Sequence, residues 1–362
     1  MSESLKVAII GGGRVAMHHC RMMEQLTEVN VAAISDLREE RGDPLAKKYG
    51  VPYFDNYHQM LSEVPDVDIV TIATPSGMHF EHAKDIISIY EKHIVVEKPT
   101  FMRPEQMREI YTLAEEKGCK IFPVYQNRYN KAVRFVRQAI DQMELGNIRM
   151  ASARVRWCRP QRYYDRDAWR GTWSHDGGAL TNQGVHYLDI LRYLGGEILR
   201  VNAITATQGV EVEVEDTAAA IFEFRAGGLG VIEITTAARP DDFEASVSIV
   251  GSKGLAVISG EATNILTTFS PDPEKCEINS EKFEMVYGFG HREMYGDIAG
   301  VLNNQNKPPV SFEDGMGTLT LLHGIYRSAE LGNWVDLSEN NQSVRLGRPD
   351  DNISALYHTP AP

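Results

Sequence analysis

Close to the N-terminus the chain reads "KVAIIGGGRVAMHH": a short apolar run ending at Ile10, three glycines, then residues with helical spacing. A buried strand that breaks at glycine and turns directly into a helix returns the chain across the sheet. The next strand must then run parallel to the first. Gly11, Gly13 and Ala16 have G-x-G-x-x-A spacing. One glycine permits the tight turn, and another lets the backbone approach a pyrophosphate at a helix N-terminus, where free N–H groups and the helix dipole attract an anion. The second strand, "VAAIS", ends at Asp36, a carboxylate placed to accept hydrogen bonds from ribose hydroxyls. Strand, helix and acid in this register predict a dinucleotide site, whereas a lone glycine turn would not. A carboxylate repels a 2′-phosphate, so NAD is favoured over NADP. Arg38 leaves an alternative open, because it could accommodate that phosphate or lie beside the adenine.

The pattern continues. "VNVAAIS", "VDIVTIAT", "HIVVEK" and "KIFPVYQ" read as strands, alternating with helices after Gly13, around Pro44 to Lys48, from His79 to Tyr90 and from Arg103 to Gly118. The last carries Pro in its first turn and Gly at its end. From Tyr125 the texture changes. A helix over "NKAVRFVRQAIDQM" precedes "NIRMASARVRWC", whose polar and apolar residues alternate as on a two-faced strand. "HDGGALTNQGVHYLDILRYLGG" reads as loop then helix. "DTAAAIFEFRAGGLGVIEITTAA" and "ASVSIVGSKGLAVIS" read as glycine-punctuated hairpins, "SFEDGMGTLTLLHGIYRSAELG" as a late helix, and the tail from Asn340 as loosely ordered. The expected fold class is α/β: an N-terminal Rossmann dinucleotide-binding domain over residues 1–124, and a C-terminal α+β domain over 125–362 with a large mixed or antiparallel sheet for substrate binding and oligomerisation.

A formal net charge of -13 argues against nucleic acid or an anionic membrane as partner, since both would repel the chain at long range. Cys20, Cys119, Cys158 and Cys276 are dispersed, so neither a disulfide framework nor a zinc site is expected, and a reducing cytoplasm fits. The N-terminal apolar run is too short for a signal core, and no segment has the length of a membrane helix. His18/His19 and His79/His82 resemble metal pairs, but no neighbouring carboxylate or thiol in the sequence completes a set, so no metal is expected.

Glu97-Lys98-Pro99 closes a predicted strand, at the sheet edge where ligands bind in open α/β folds. Pro99 biases Lys98 towards an extended backbone, and partial burial or neighbouring cations would fit its amine for acid/base work. Asn182 and His186 are four residues apart and share one face if the helix has begun; His186 titrates in the right range for proton transfer, although a structural role is the plainer reading of a lone histidine. Between Arg154 and Trp173, six arginines and three of the four tryptophans fall within twenty residues. Such a segment suits a multiply anionic ligand. Its first arginines, Arg154 and Arg156, are equally compatible with an exposed strand face paired with carboxylates.

The nucleotide loop, "ATPSGMH", "EKP" and the later "GG…N…H" arrangement resemble the Gfo/Idh/MocA family of NAD(P)-dependent sugar and cyclitol dehydrogenases over nearly the whole chain. "QNRYN", "RVRWCRPQRYYDRDAWRGTW", "DGGALTNQGVHYLD", "VEVEDTA" and "GVIEITTAARP" resemble the branch that oxidises UDP-N-acetylglucosaminuronic acid at C3. The resemblance implies NAD as cofactor, held by Gly11, Gly13, Arg14, Val15, Asp36, Thr74, Pro75, His79, Glu97, Lys98, Gln126, Trp169 and Arg170. It implies that Lys98 and His186 flank the reacting carbon, and that Arg128, Arg156, Arg159, Arg162, Tyr163, Tyr164, Arg166 and Asn182 join them in holding the substrate. Arginine forks match both its diphosphate and its carboxylate. Relatives often carry Asp where this chain has Asn182, which leaves Lys98 as general base and Asn182 as an orienting group. Also implied are a homotetramer, a cytoplasmic place in bacterial surface-polysaccharide synthesis, and 2-oxoglutarate as acceptor of the hydride from bound NADH. Two alternatives stay open: a dehydrogenase of the same fold acting on a free sugar or cyclitol, and a non-catalytic NAD-binding sensor.

Overall fold

The contiguous apolar runs of the N-terminal third become the strands of a six-stranded sheet. A computed structural model describes residues 4–283, 287–338 and 340–360. Strands β1 (Leu5–Ile10), β2 (Val29–Ser35), β3 (Tyr53–Phe54), β4 (Ile69–Ile72), β5 (His93–Val96) and β6 (Ile121–Pro123) pair in the order β3-β2-β1-β4-β5-β6, every pair parallel. All four residues of β4 are buried, without alternation, as expected where crossover helices cover both faces. Those helices are Arg14–Met23, Glu39–Tyr49, Tyr57–Glu63, His79–Tyr90 and Pro104–Glu116. The strand order reverses between β1 and β4, which is the switch point where a doubly wound sheet binds its ligand.

The chain divides into two units that part at Val124 and Tyr125, and two later stretches return to the first. The first unit runs to Val124 but also takes back His291–Phe312 and the stretch from Pro349; the second comprises Tyr125–Gly290 and Glu313–Arg348. Burial explains the return. Within the first unit the helix Gly290–Leu302 brings His291 and Tyr295, both 1% exposed or less, against groups of the sheet. Phe312 meets Tyr111 edge-on at 4.9 Å. The tail is ordered rather than loose: Asp350 caps the short helix Asp351–Ala355, and His358 lies 2.8 Å from Glu81. Earlier in the tail, Ser343 and Val344 bind Glu330 of the second unit.

The second unit carries an eight-stranded sheet: β7 (Ile148–Arg156), β8 (Ile198–Ala206), β9 (Thr217–Phe224), β10 (Leu229–Thr235), β11 (Glu244–Gly251), β12 (Leu255–Ser259), β13 (Ile265–Phe269) and β14 (Val335–Asp336), in the order β13-β12-β11-β7-β10-β9-β8-β14. Only β7 and β10 pair in parallel, so the sheet is mixed. Period-two alternation gives it two unlike faces. Ala151, Ala153, Val155, Ile232 and Phe222 are buried on the side packed by Val185–Gly195, which lies against β7 and β11. The opposite face carries Arg154, Arg156, Glu233 and Glu244, with Ile204, Ile221, Leu229 and Val231 exposed among them. Among the described residues, no helix is long and apolar enough to cross a membrane.

Candidate functional site

The glycine loop of the first unit leaves no room for side chains where backbone must come close. Gly11 has φ +100°, and a Cβ there would stand 2.5 Å from the Ala73 carbonyl oxygen. Gly13 opens the helix Arg14–Met23 with nothing within 4 Å of its missing Cβ, which leaves the helix N-terminus open to an anion. The Asp36 carboxylate accepts the Gly12 N–H at 2.5 Å and the Arg38 N–H at 2.8 Å, so the acid ending β2 is docked onto the loop ending β1. A glycine cradle, an open helix start and an adjoining carboxylate fit a dinucleotide. Arg14 is exposed and Val15 half-buried in the first helical turn.

Behind the loop, His79 joins two sheet-edge turns. Its Nε2 is 3.1 Å from the Thr74 carbonyl and its Nδ1 2.9 Å from the Pro99 carbonyl. The ring is 1% exposed and burial lowers its pKa, so this residue ties the turn after β4 to the turn after β5. Thr74 Oγ1 meets His82 Nδ1 at 2.9 Å, and Pro75 follows it half-buried at the sheet edge.

The turn after β5 holds Glu97, which is 7% exposed, and Lys98, which is half-buried. Glu97 Oε2 accepts the Lys98 N–H at 3.0 Å; Oε1 lies 3.0 Å from His19 Nε2 and 3.5 Å from His291 Nε2. Burial alone would raise the Glu97 pKa, but His19 and His291 outweigh it and hold the group well below the usual carboxylate range. Burial in turn lowers His291 to about 4 and His18 to about 3. The sequence-based expectation that no carboxylate stands near His18/His19 is therefore corrected: Glu97 and His291 complete a buried trio with His19, ligand atoms all within 4.8 Å of one another. Such donors suit a divalent transition metal. His19, however, is already engaged at both ring nitrogens, with Glu97 and with Tyr295 Oη at 2.9 Å, which describes a hydrogen-bonded network.

In the second unit, "GGALTNQG" forms a π-helical turn, Leu180–Gly184, that leads into the helix Val185–Gly195. Turns of this kind recur at functional sites. Asn182 lies in it and His186 in the first α turn, both half-buried. The Asn182 amide donates to Asp176 Oδ1, while Asp176 Oδ2 accepts the Gly171 N–H at 2.7 Å. Beneath the turn lies Glu215, to which sequence reasoning gave no role. Its Oε1 accepts the Leu180 N–H and the Tyr326 hydroxyl, each at 2.9 Å. A Cβ on Gly178 would collide with its Oε2. Burial pushes this carboxyl up to about 8, so it is neutral at pH 7. "VEVEDTA" marked the position without revealing its burial.

The arginine-rich stretch separates into two parts. Arg154 and Arg156 both lie on the exposed sheet face, cross-strand from Glu233 and Glu244 with contacts of 2.6 to 3.4 Å. Arg156, expected at the substrate, is thus committed to the sheet. Arg128 is committed too: buried, bidentate to Asp189 at 2.7 Å through Nε and Nη2, and 3.2 Å from Asp314. Burial opposes its charge, but Asp189 outweighs that and raises its pKa. Tyr164 is buried, with its hydroxyl 3.2 Å from Thr236 Oγ1. Gln126 is buried, and its Oε1 has no hydrogen-bond partner among the described residues.

The remainder stays together. Arg159 pairs with Asp242 at 2.8 Å; Arg170 stacks 4.4 Å from the rings of both Tyr163 and Trp169 and donates to Tyr163 Oη at 2.6 Å. Gln183 donates to the same hydroxyl at 3.3 Å, which joins this segment to the π turn. Arg162 and Arg166 are exposed and form no ion pair among the described residues.

Residues 5–125 match the model of an oxidoreductase family with an NAD-binding Rossmann fold, and residues 133–257 match the GFO/IDH/MocA C-terminal domain. Among solved structures, the chain is similar to the WlbA dehydrogenase of Bordetella pertussis in complex with NADH and UDP-GlcNAcA, at 33% identity and TM-score 0.88, covering 93% of this chain and 99% of that one. It is similar to the WlbA dehydrogenase of Chromobacterium violaceum with the same two ligands, at 31% identity and TM-score 0.86, covering 93% and 97%. The D-glucoside 3-dehydrogenase of Escherichia coli K12 is 27% identical over 365 residues, 93% of this chain and 98% of its own.

Proposed function

The chain belongs to the GFO/IDH/MocA oxidoreductase family and is an NAD-dependent dehydrogenase of sugar hydroxyls; we propose that its substrate is UDP-N-acetylglucosaminuronic acid, oxidised at C3 to the 3-keto sugar. The observation that carries this reading is a pair of exposed arginines, Arg162 and Arg166, without ion pairs among the described residues, in the segment that holds Arg159, Arg170 and two aromatic rings and that Tyr163 joins to the Asn182 turn. A diphosphate and a carboxylate require fixed cations, whereas a neutral sugar does not. The two WlbA relatives, solved with UDP-GlcNAcA, lend support.

NAD, held at the Gly11–Gly13 loop and Asp36, would supply the hydride acceptor. Lys98 takes the proton of the C3 hydroxyl, with its backbone N–H anchored on Glu97. In the second unit, His186 is the hydrogen-bonding group offered to the sugar. Asn182 orients it, with its amide pinned by Asp176. Loss of a hydride from carbon and a proton from oxygen leaves the ketone. The second unit's exposed sheet face, apolar residues between paired charges, suits association with further copies, and we propose a homotetramer with 2-oxoglutarate as the acceptor that returns NADH to NAD.

A rival reading, oxidation of a free sugar or cyclitol, gains from the commitment of Arg128 and Arg156 to internal pairs, which shrinks the cation pool. One assay separates them. Purified protein, its bound cofactor first identified, is given UDP-N-acetylglucosaminuronate, UDP-N-acetylglucosamine, glucose or myo-inositol, with and without 2-oxoglutarate, and the sugar product is read by mass spectrometry. A 3-keto nucleotide sugar from the uronate alone is expected; turnover of a free sugar with the uronate untouched sinks the proposal.

A further inference from the structure

The Glu97 carboxylate is buried in the first unit, where an anion is costly unless donors surround it. One helix supplies or supports most of them. His291 and Tyr295 are four residues apart on Gly290–Leu302 and so share a face. His291 Nε2 lies 3.5 Å from Glu97 Oε1, an ion-pair contact rather than a hydrogen bond, and neither ring nitrogen has a hydrogen-bond partner among the described residues. Tyr295 acts one step removed: its hydroxyl lies 2.8 Å from Thr71 Oγ1 and 2.9 Å from His19 Nδ1, and His19 Nε2 reaches Glu97 Oε1 at 3.0 Å. With a neutral imidazole at His19, one direction of donation satisfies this chain. Thr71 donates to Tyr295, Tyr295 to His19 Nδ1, and the remaining His19 proton, on Nε2, goes to Glu97. That order fixes the tautomer of His19. Glu97 Oε2, left free of this chain, takes the Lys98 N–H.

We propose that His291 and Tyr295 are positioning residues for Lys98: through Glu97 they hold the backbone from which its amine projects, so that a helix returning from late in the chain sets the geometry of proton transfer. The inference rests on the reading of Lys98 as the base. It adds residues that touch neither sugar nor cofactor.

The test uses the full-length protein and whichever sugar the wild type oxidises, with four variants. Tyr295→Phe removes one hydroxyl from the chain. His291→Leu removes the imidazole that lies against Glu97, and His291→Gln restores a polar N–H group at that position. Lys98→Met checks the underlying reading. For Tyr295→Phe and His291→Leu we expect kcat to fall on the order of 10- to 100-fold, the scale of a small misplacement of a reacting group. KM for the sugar and NAD affinity should stay at wild-type values, and the acid limb of the kcat–pH profile should move. His291→Gln should recover most of kcat. Wild-type kcat in both Tyr295→Phe and His291→Leu, with Lys98→Met inactive, overturns the inference alone. Full activity in Lys98→Met overturns it together with the reading beneath it. Equal losses in His291→Leu and His291→Gln that follow melting temperature mean a merely structural helix and also overturn it. So does a stoichiometric metal ion in the wild type that His291→Leu loses.

Discussion

Replacing Glu215 by glutamine should change the pH dependence of stability rather than its value in mild acid. The carboxyl is 3% exposed, its Oε1 accepts from Leu180 N–H and Tyr326 Oη, and its Oε2 has no hydrogen-bond partner among the described residues. Burial lifts its pKa from the usual 4.5 to about 8. Between those values the native protein keeps a proton that the unfolded chain has released. The stability this group contributes is complete below 4.5 and is lost as pH rises through 8. The loss runs at about 1.4 kcal/mol per pH unit, at most about 5 kcal/mol across the window. Glutamine keeps a carbonyl for Leu180 and Tyr326 and cannot ionise. Urea unfolding of both proteins at several pH values, followed by Trp173 fluorescence because that ring meets Tyr326 edge-on at 5.2 Å, should give free energies within about 1 kcal/mol of each other near pH 5.5. The variant should lead by roughly 3 kcal/mol near pH 8. A difference independent of pH would refute the argument, because it would mean that native Glu215 carries no extra proton.

Acid should weaken the first unit in the opposite sense. Burial lowers His82 to about 3 and His291 to about 4, so the unfolded chain takes up protons below 6.5 that the native one refuses; each histidine should cost about 1.4 kcal/mol per pH unit as pH falls towards its native value, and urea titrations at pH 7 and 5 read this, with a shallower dependence in His291→Gln. Gly11→Ala forces φ +100° on a residue with a Cβ and places that Cβ 2.5 Å from Ala73 oxygen; a stability loss of about 1–3 kcal/mol and weakened NADH binding should appear in melting curves and fluorescence titration. Asp36→Asn removes the charge that receives Gly12 and Arg38 N–H and should narrow the preference for NAD over NADP, as measured by paired titrations. Alanine at Arg162 or Arg166 should raise KM for the nucleotide sugar by roughly tenfold, the size of one charged hydrogen bond, with kcat unchanged in steady-state assays.

The parallel sheet and its glycine loop were legible because their signals are local: contiguous apolar strands, glycines at the turns, an acid one strand later. The helix Tyr57–Glu63 and the two-residue β3 went unread, being short and largely polar. The helix Gly290–Leu302 has three glycines in "GHREMYGDIAGVL", which blur its period, and nothing local tells that it packs in the first unit. The pairing of Arg128 could not be read, because its partner Asp189 lies 61 residues away, a distance over which sequence pattern carries no pairing information. Arg156 is different. Two residues beyond Arg154 on a strand, it had to share the same face, and the exposed-face alternative covered both. Glu215 was invisible because a glutamate earns its interest only through burial, and burial depends on Gly178 and Tyr326, which come from elsewhere in the chain.

The first unit's recapture of His291–Phe312 and of the stretch from Pro349 bears on how the protein is made. Domains commonly fold in the order in which they leave the ribosome. Here a nascent chain that has emerged only as far as Val124 holds the whole parallel sheet and its glycine loop, yet leaves Glu97 and His19 without His291 and Tyr295. The unit whose synthesis starts first therefore waits on a later segment, and the Lys98 turn reaches its final form only after translation has passed Tyr295.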